Sequence, residues 1–130
     1  MATSPIFAST PVLGFASVTA ANTNRDGTGT IVDIVTSGSS GTRIDEIVLQ
    51  ATGNPADSTV TIYIHDGSSY RLFDEFDIGD PAAASTTLAG YRASRSYTNL
   101  VLPTGYKLAA AITVALTSGA INVFAHGANF

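Results

Sequence analysis

The chain has 130 residues, a length suited to one ordinary domain, with 45% hydrophobic and only 12% charged residues. A net charge of -4, a single lysine (Lys107) and scattered arginines leave no basic footprint to neutralise phosphates, which argues against nucleic-acid binding. The absence of cysteine removes disulfide frameworks, Cys-type zinc sites and thiol nucleophiles together.

The charged fraction is about half the usual ~25%. A surface rich in Ser, Thr, Ala and Gly suits either a protein that buries its exterior against neighbours or a lone domain with a hydroxyl-rich coat. No apolar run reaches the ~18 residues of a membrane span, so no membrane partner is expected. The first residues lack a basic start, and Pro5, Pro11 and Gly14 interrupt any apolar helix, so the stretch reads as mature protein.

In chain order, residues 1–11 read as an extended arm, and residues 12–130 as a single domain. Pro5 and Pro11 bracket Ile6 and Phe7, and proline is poor material for a central strand. Such an arm packs along its own sheet or into a groove, its own or a neighbour's. Val12 to Ala20 is a weak first strand, and Asn22 to Gly29 a long turn. Thr30 to Thr36, apolar on both faces except at Asp33, predicts a strand covered on both sides.

Ser37 to Gly41 is a loop by composition. In Thr42 to Ala51, Ile44 is out of phase with Ile47 and Leu49, and a β-bulge at Asp45-Glu46 would return all three to one face. Thr59 to His65 alternates cleanly, Asp66-Gly67 supplies a turn, and alternation resumes from Tyr70 to Ile78. A one-residue slip would put every side chain on the wrong face, so the hairpin is expected to have an odd loop of three or five residues.

Thr86 to Ala93 reads as a strand, with Tyr91, Arg92, Arg95 and Tyr97 in or beside a loop. Leu100 to Gly105 reads as a short strand and turn. Tyr106 to Leu116 alternates with a second face (Lys107, Ala109, Ala111, Thr113) that is small enough to be covered. Ala120 to Ala125 is the last strand. Eight or nine short strands without a helix predict a single antiparallel β-sandwich, jelly-roll-like, with an immunoglobulin-like sandwich as the second choice.

Candidate chemistry is sparse. Asn22-x-Asn24-x-Asp26-Gly27, with Asp33 at the twelfth position, partly matches a calcium loop, but Asn stands for the first Asp, Asp for the last Glu, and no helices flank it. His65 and His126, with a carboxylate such as Asp66, lack any close metal-ligand spacing. Gly-x-Ser-x-Gly is absent, and Asp74, Glu75 and Asp77 read as solvated edge charges. No enzyme, no metal and no cofactor is expected.

Several strings, spread over nearly the whole chain, resemble small virion proteins of tailed bacteriophages. They are Ala21-Asn-Thr with Asp26-Gly-Thr-Gly29, Arg43-Ile-Asp45 leading to Ala51-Thr-Gly53, Ile64-His-Asp-Gly67 with Arg71-Leu-Phe73, Leu102-Pro-Thr-Gly-Tyr-Lys-Leu108, and Asn122-Val-Phe-Ala125 with the Gly-Ala-Asn-Phe end. The resemblance implies a β-sandwich capsid decoration (cement) protein, a homotrimer made in the host cytoplasm and bound to the major capsid protein on the outer capsid surface. It transfers no catalytic residue. On that reading Pro5, Ile6 and Phe7 contact the capsid or a neighbour, and Tyr91, Arg92, Arg95 and Tyr97 form an aromatic/Arg interface patch. The competing readings are a neck, tail or head-fibre protein, a carbohydrate-binding module using Tyr63, Tyr70, Tyr91 and Tyr97, and, weakest, a small hydrolase.

Overall fold

Eight strands follow one another in the computed structural model, which describes residues 6–130. They are β1 (Thr10–Val18), β2 (Val32–Thr36), β3 (Thr42–Ala51), β4 (Ser58–His65), β5 (Tyr70–Gly79), β6 (Arg92–Leu102), β7 (Lys107–Ile112) and β8 (Ile121–Asn129). They make two antiparallel four-stranded sheets, ordered β1-β8-β3-β6 and β2-β7-β4-β5. The pairs β1–β8, β2–β7, β3–β6 and β4–β5 are those of one long ribbon doubled back at the β4–β5 turn. Wrapped into two layers, that ribbon is a jelly roll. The all-β sandwich expected from the strand spacing is therefore the fold.

One core lies between the sheets. Val18, Ile44, Ile47, Leu49, Ile121 and Val123 enter it from the first sheet, and Val60, Ile62, Phe76, Leu108 and Ile112 from the second. Each such side chain is worth roughly 1.5–3 kcal/mol when fully buried. Holding all of them in phase requires bulges. The one expected at Asp45 is present: pairing shifts between Ile44 and Glu46 against both neighbours, and Ile44, Ile47 and Leu49 are all fully buried.

The hairpin loop, however, has an even length. His65 pairs with Tyr70 across Asp66 to Ser69, and Ile64 therefore faces Arg71. Asp66 fixes this turn, its Oδ1 accepting from the amides of Ser68 (2.9 Å) and Ser69 (3.0 Å). Phase is recovered inside β5, where Tyr63 pairs with Leu72 but Ile62 with Asp74. Phe73 is the extra residue, and Phe76 and Ile78 return to the core. The parity constraint holds, but the strand satisfies it instead of the loop.

Four other expectations are corrected. β2 is an edge strand, not one covered on both sides; a bulge between Asp33 and Val35 turns Ile34 and Val35 into the same core. Residues 86–91 form no strand, and β6 runs unbroken from Arg92 to Leu102. Its middle looked like an interruption because Tyr97, Thr98 and Asn99 bulge opposite Asp45, with Asn99 at φ 61°, a left-handed conformation that Asn tolerates. β7 stops at Ile112 instead of continuing to Leu116: the Thr113 amide donates to the Thr59 carbonyl (3.0 Å), and the chain then pairs with the turn at Asn54.

The small second face of β7 is covered by the chain's own turn, not by a neighbour. Ala109, Ala111 and Tyr63 are buried there beneath Ile31 and Tyr70. Tyr63 Oη donates to the Asn24 carbonyl (2.9 Å), and Asn22 Nδ2 donates to the carbonyls of Thr28 and Thr30 (3.0 Å each).

The β1–β2 flank closes at Gly14, where an added Cβ would stand 2.6 Å from Val35 Cβ and against the Ile34 carbonyl. Gly14→Ala should cost about 1–3 kcal/mol, the usual range for overpacking. It should appear as a lower urea midpoint with an unchanged m-value; an unchanged midpoint would mean the flank is not closed there.

Candidate interaction surfaces

The flank opposite Gly14 is held by polar side chains. β5 and β6 are the outer strands of their sheets, and Arg95, paired with Ile47, points inward from β6. Its guanidinium lies 4.5 Å from the Phe76 ring centroid, forms an ion pair with Asp74, and donates to the Glu75 carbonyl (3.1 Å). Tyr97 Oη donates to Asp74 Oδ2 (2.6 Å), and Tyr91 Oη donates to the Asp77 carbonyl (3.0 Å). Three of the four residues assigned to the aromatic/Arg patch thus bridge the two sheets of their own domain. The fourth, Arg92, pairs with Gln50 on the outer face and is exposed.

Asp74 titrates under opposing influences. Partial burial raises its pKa, but hydrogen bonds from Tyr97, Arg95 and the Glu75 amide, with the Arg95 charge, outweigh burial and hold it below the ordinary carboxylate value. Burial and the adjoining carboxylate push the Tyr97 hydroxyl far upward. A depressed carboxyl pKa stabilises the fold above the unfolded value of about 3.9, and the contribution is lost as pH falls through the folded value. Urea midpoints should accordingly drop below about pH 4, and Asp74→Asn should be less stable at neutral pH and show a shallower acid decline. An equally steep decline in that variant would remove Asp74 from the account.

The second surface is apolar. Residues 6–9 precede β1 without strand pairing, although the Ser9 amide donates to the Asn129 carbonyl (3.0 Å). Pro5 lies outside the described residues. Phe7 is 87% exposed, Leu13 63% and Phe15 68%. On β1 the small residues Gly14 and Ala16 face inward, so the large ones are displayed. Phe15, Phe124 and Val48 form a row across β1, β8 and β3, with the two phenyl rings 6.0 Å apart. The next row is Leu13, His126 and Glu46, the last two joined at 2.8 Å. Leu13, Phe15 and Phe124 were missed by sequence reading, and the signal available was alternation of large apolar with small residues in a strand beside Pro11.

A groove of about 310 Å³ opens at the hairpin end, walled by Ile64, Leu72, Phe73 and Tyr106 with Asp66 and Arg71 at its rim. The remaining sequence candidates do not converge. Asn22, Asn24 and Asp26 spend their side chains on hydrogen bonds within their own loop. Asp33 accepts instead from Tyr70 (2.8 Å) and Lys107 (3.2 Å). His65 accepts from the Gly67 amide (3.1 Å) on the second sheet, while His126 lies on the first. Tyr63 and Tyr70 occupy the outer face of the second sheet, and Tyr91 and Tyr97 the β5–β6 flank, so the four do not share one platform. Among the described residues no three His, Cys, Asp or Glu side chains come together as a metal site, and no helix is long and apolar enough to cross a membrane.

No protein-family model and no curated protein matches the chain. Among solved structures it is similar to a chain of the acidic stable capsid structure of Helicobacter pylori bacteriophage KHP30, with 15% identity, a TM-score of 0.55, and coverage of 92% of this chain and 87% of that one. At that identity the likeness is one of fold.

Proposed function

We propose that this chain is a structural protein of a bacteriophage virion, and specifically a decoration (cement) protein that sits on the outer capsid surface. Copies of it, arranged as a trimer, clamp neighbouring major-capsid subunits. The observation that carries the reading is the apolar patch on the outer face of the first sheet, where the exposed Leu13 and Phe15 of β1 lie beside the half-buried Phe124 of β8, a display that marks an interaction surface. The likeness to a phage capsid chain over nearly the full length supports the setting. Asp74, Arg95, Tyr91 and Tyr97 are engaged in holding the fold, and the work assigned to the protein in this reading is adhesion.

The mechanism is mass action. A domain that binds only the assembled shell stabilises it by RT ln(1 + [L]/Kd), about 2.7 kcal/mol at a hundredfold excess over Kd. Burying the exposed two-thirds of Leu13 and Phe15 against the shell supplies at most about 1–2 kcal/mol each.

The test uses capsids of the encoding phage assembled without this chain. The added protein should bind in a copy number matching the capsid lattice and raise the capsid melting temperature. Leu13→Ser and Phe15→Ser should each weaken binding about tenfold or more without lowering the domain's own stability. Full-strength binding by both variants would remove this face from the account. A few copies per particle would place the protein at the neck, tail or a fibre instead.

A further inference from the structure

The arm and the groove are two unsatisfied features at the same end of the sandwich. Thr10, Thr42, Leu102 and Asn129 end the first sheet there, and Thr36, His65, Tyr70 and Lys107 end the second. The arm leaves from the β1 corner carrying a nearly bare Phe7 beside a partly exposed Ile6. The groove lies toward the opposite corner, between β4, β5 and Tyr106, and two more of the exposed large hydrophobics, Leu72 and Phe73, wall it.

The arm does not fill the groove of its own domain: the Ser9 amide is held by the Asn129 carbonyl at the β1 corner (3.0 Å), and Phe7 stands 87% exposed. The dimensions nevertheless match: a cavity of about 150 Å³ accepts a benzene ring, so a groove of about 310 Å³ has room for a phenyl ring and an aliphatic neighbour. Residues 6–10 carry no charged side chain, and Arg71 at the groove rim already lies 3.9 Å from Asp66, so no unpaired charge opposes an apolar segment.

We infer that Ile6 and Phe7 of one copy seat in the Ile64, Leu72, Phe73 and Tyr106 groove of a second copy. The contact is head to tail, and such contacts close into rings when the rotation permits. This rests on the self-association in the reading above and assigns the arm to the neighbouring copy, leaving the Leu13–Phe15 face for the shell. At about 200 Å² for a fully exposed Phe, the 87% exposed Phe7 offers about a fifth of the roughly 800 Å² per partner of a standard interface.

The full chain should sediment as an oligomer at micromolar concentration. Phe7→Ser should reduce it to monomer, as should the double variant Leu72→Ser with Phe73→Ser. An equimolar mixture of the two variants should give one-to-one dimers, because each retains the half the other has lost. A synthetic peptide of residues 4–11 should bind the Phe7→Ser chain saturably and shift the NMR signals of Ile64 and Tyr106, and a peptide with Ser for Phe7 should bind at least tenfold more weakly; this keeps the inference testable should the groove double variant not fold. An oligomer indifferent to Phe7→Ser overturns the inference, as does a wild-type monomer whose groove ignores the peptide. Loss of capsid binding alone by Phe7→Ser, with self-association intact, overturns it too and gives the arm to the shell. Intact self-association through the arm with no affinity for capsids would instead count against the virion reading and leave this contact standing.

Discussion

Two sheets that share one core impose a single constraint on this chain: every inward position must stay in phase along strands of five to eleven residues. The constraint is met locally wherever it fails. Ile34, Asp45 and Phe73 are bulge residues in β2, β3 and β5, and each restores a run of apolar side chains that a regular strand would have sent to solvent. The even turn at Asp66 is possible only because Phe73 absorbs its parity. The same bulge brings Phe73 beside Tyr97, with ring centroids 5.7 Å apart, so the correction of register also shapes the groove wall.

The two flanks of the sandwich close by different physics. On the β1–β2 side the backbones approach at Gly14, where a side chain would not fit. On the β5–β6 side the sheets are held by Asp74, Arg95, Tyr91 and Tyr97. Charge-assisted hydrogen bonds of this kind are stronger than neutral ones and fix geometry. The first sheet then presents Leu13, Phe15 and Phe124 on a backbone that is already ordered, so contact costs only side-chain freedom.

Much of the fold was legible because period-2 alternation reports a half-buried strand directly: β3 with its bulge, β4 and β7 were readable from the residues. Two strands were not. β6 carries Arg95 and Tyr97 on inward positions, and polar residues facing a core break the pattern that identifies a strand. β2 places two consecutive residues in the core, which alternation reads as coverage on both faces. The surfaces were less legible still. Tyr91, Arg95 and Tyr97 have the composition of an interface patch, and only the fold shows that the Asp74 carboxylate and the Asp77 carbonyl of β5, in the opposite sheet, take up their polar groups. Leu13 and Phe15 resemble core residues in sequence, and become surface ones because Gly14 and Ala16 are the residues that fit beneath β2.

Adhesion through the outer face of β1, β8 and β3 is the claim on which the functional reading stands. Hydroxyl-radical footprinting of the chain, free and on intact virions, measures it side chain by side chain. Leu13, Phe15 and Phe124 should lose most of their reactivity on the particle, while Leu88 and Val114, exposed elsewhere on the domain, keep theirs. Equal reactivity of Leu13 and Phe15 in the two states would contradict the account.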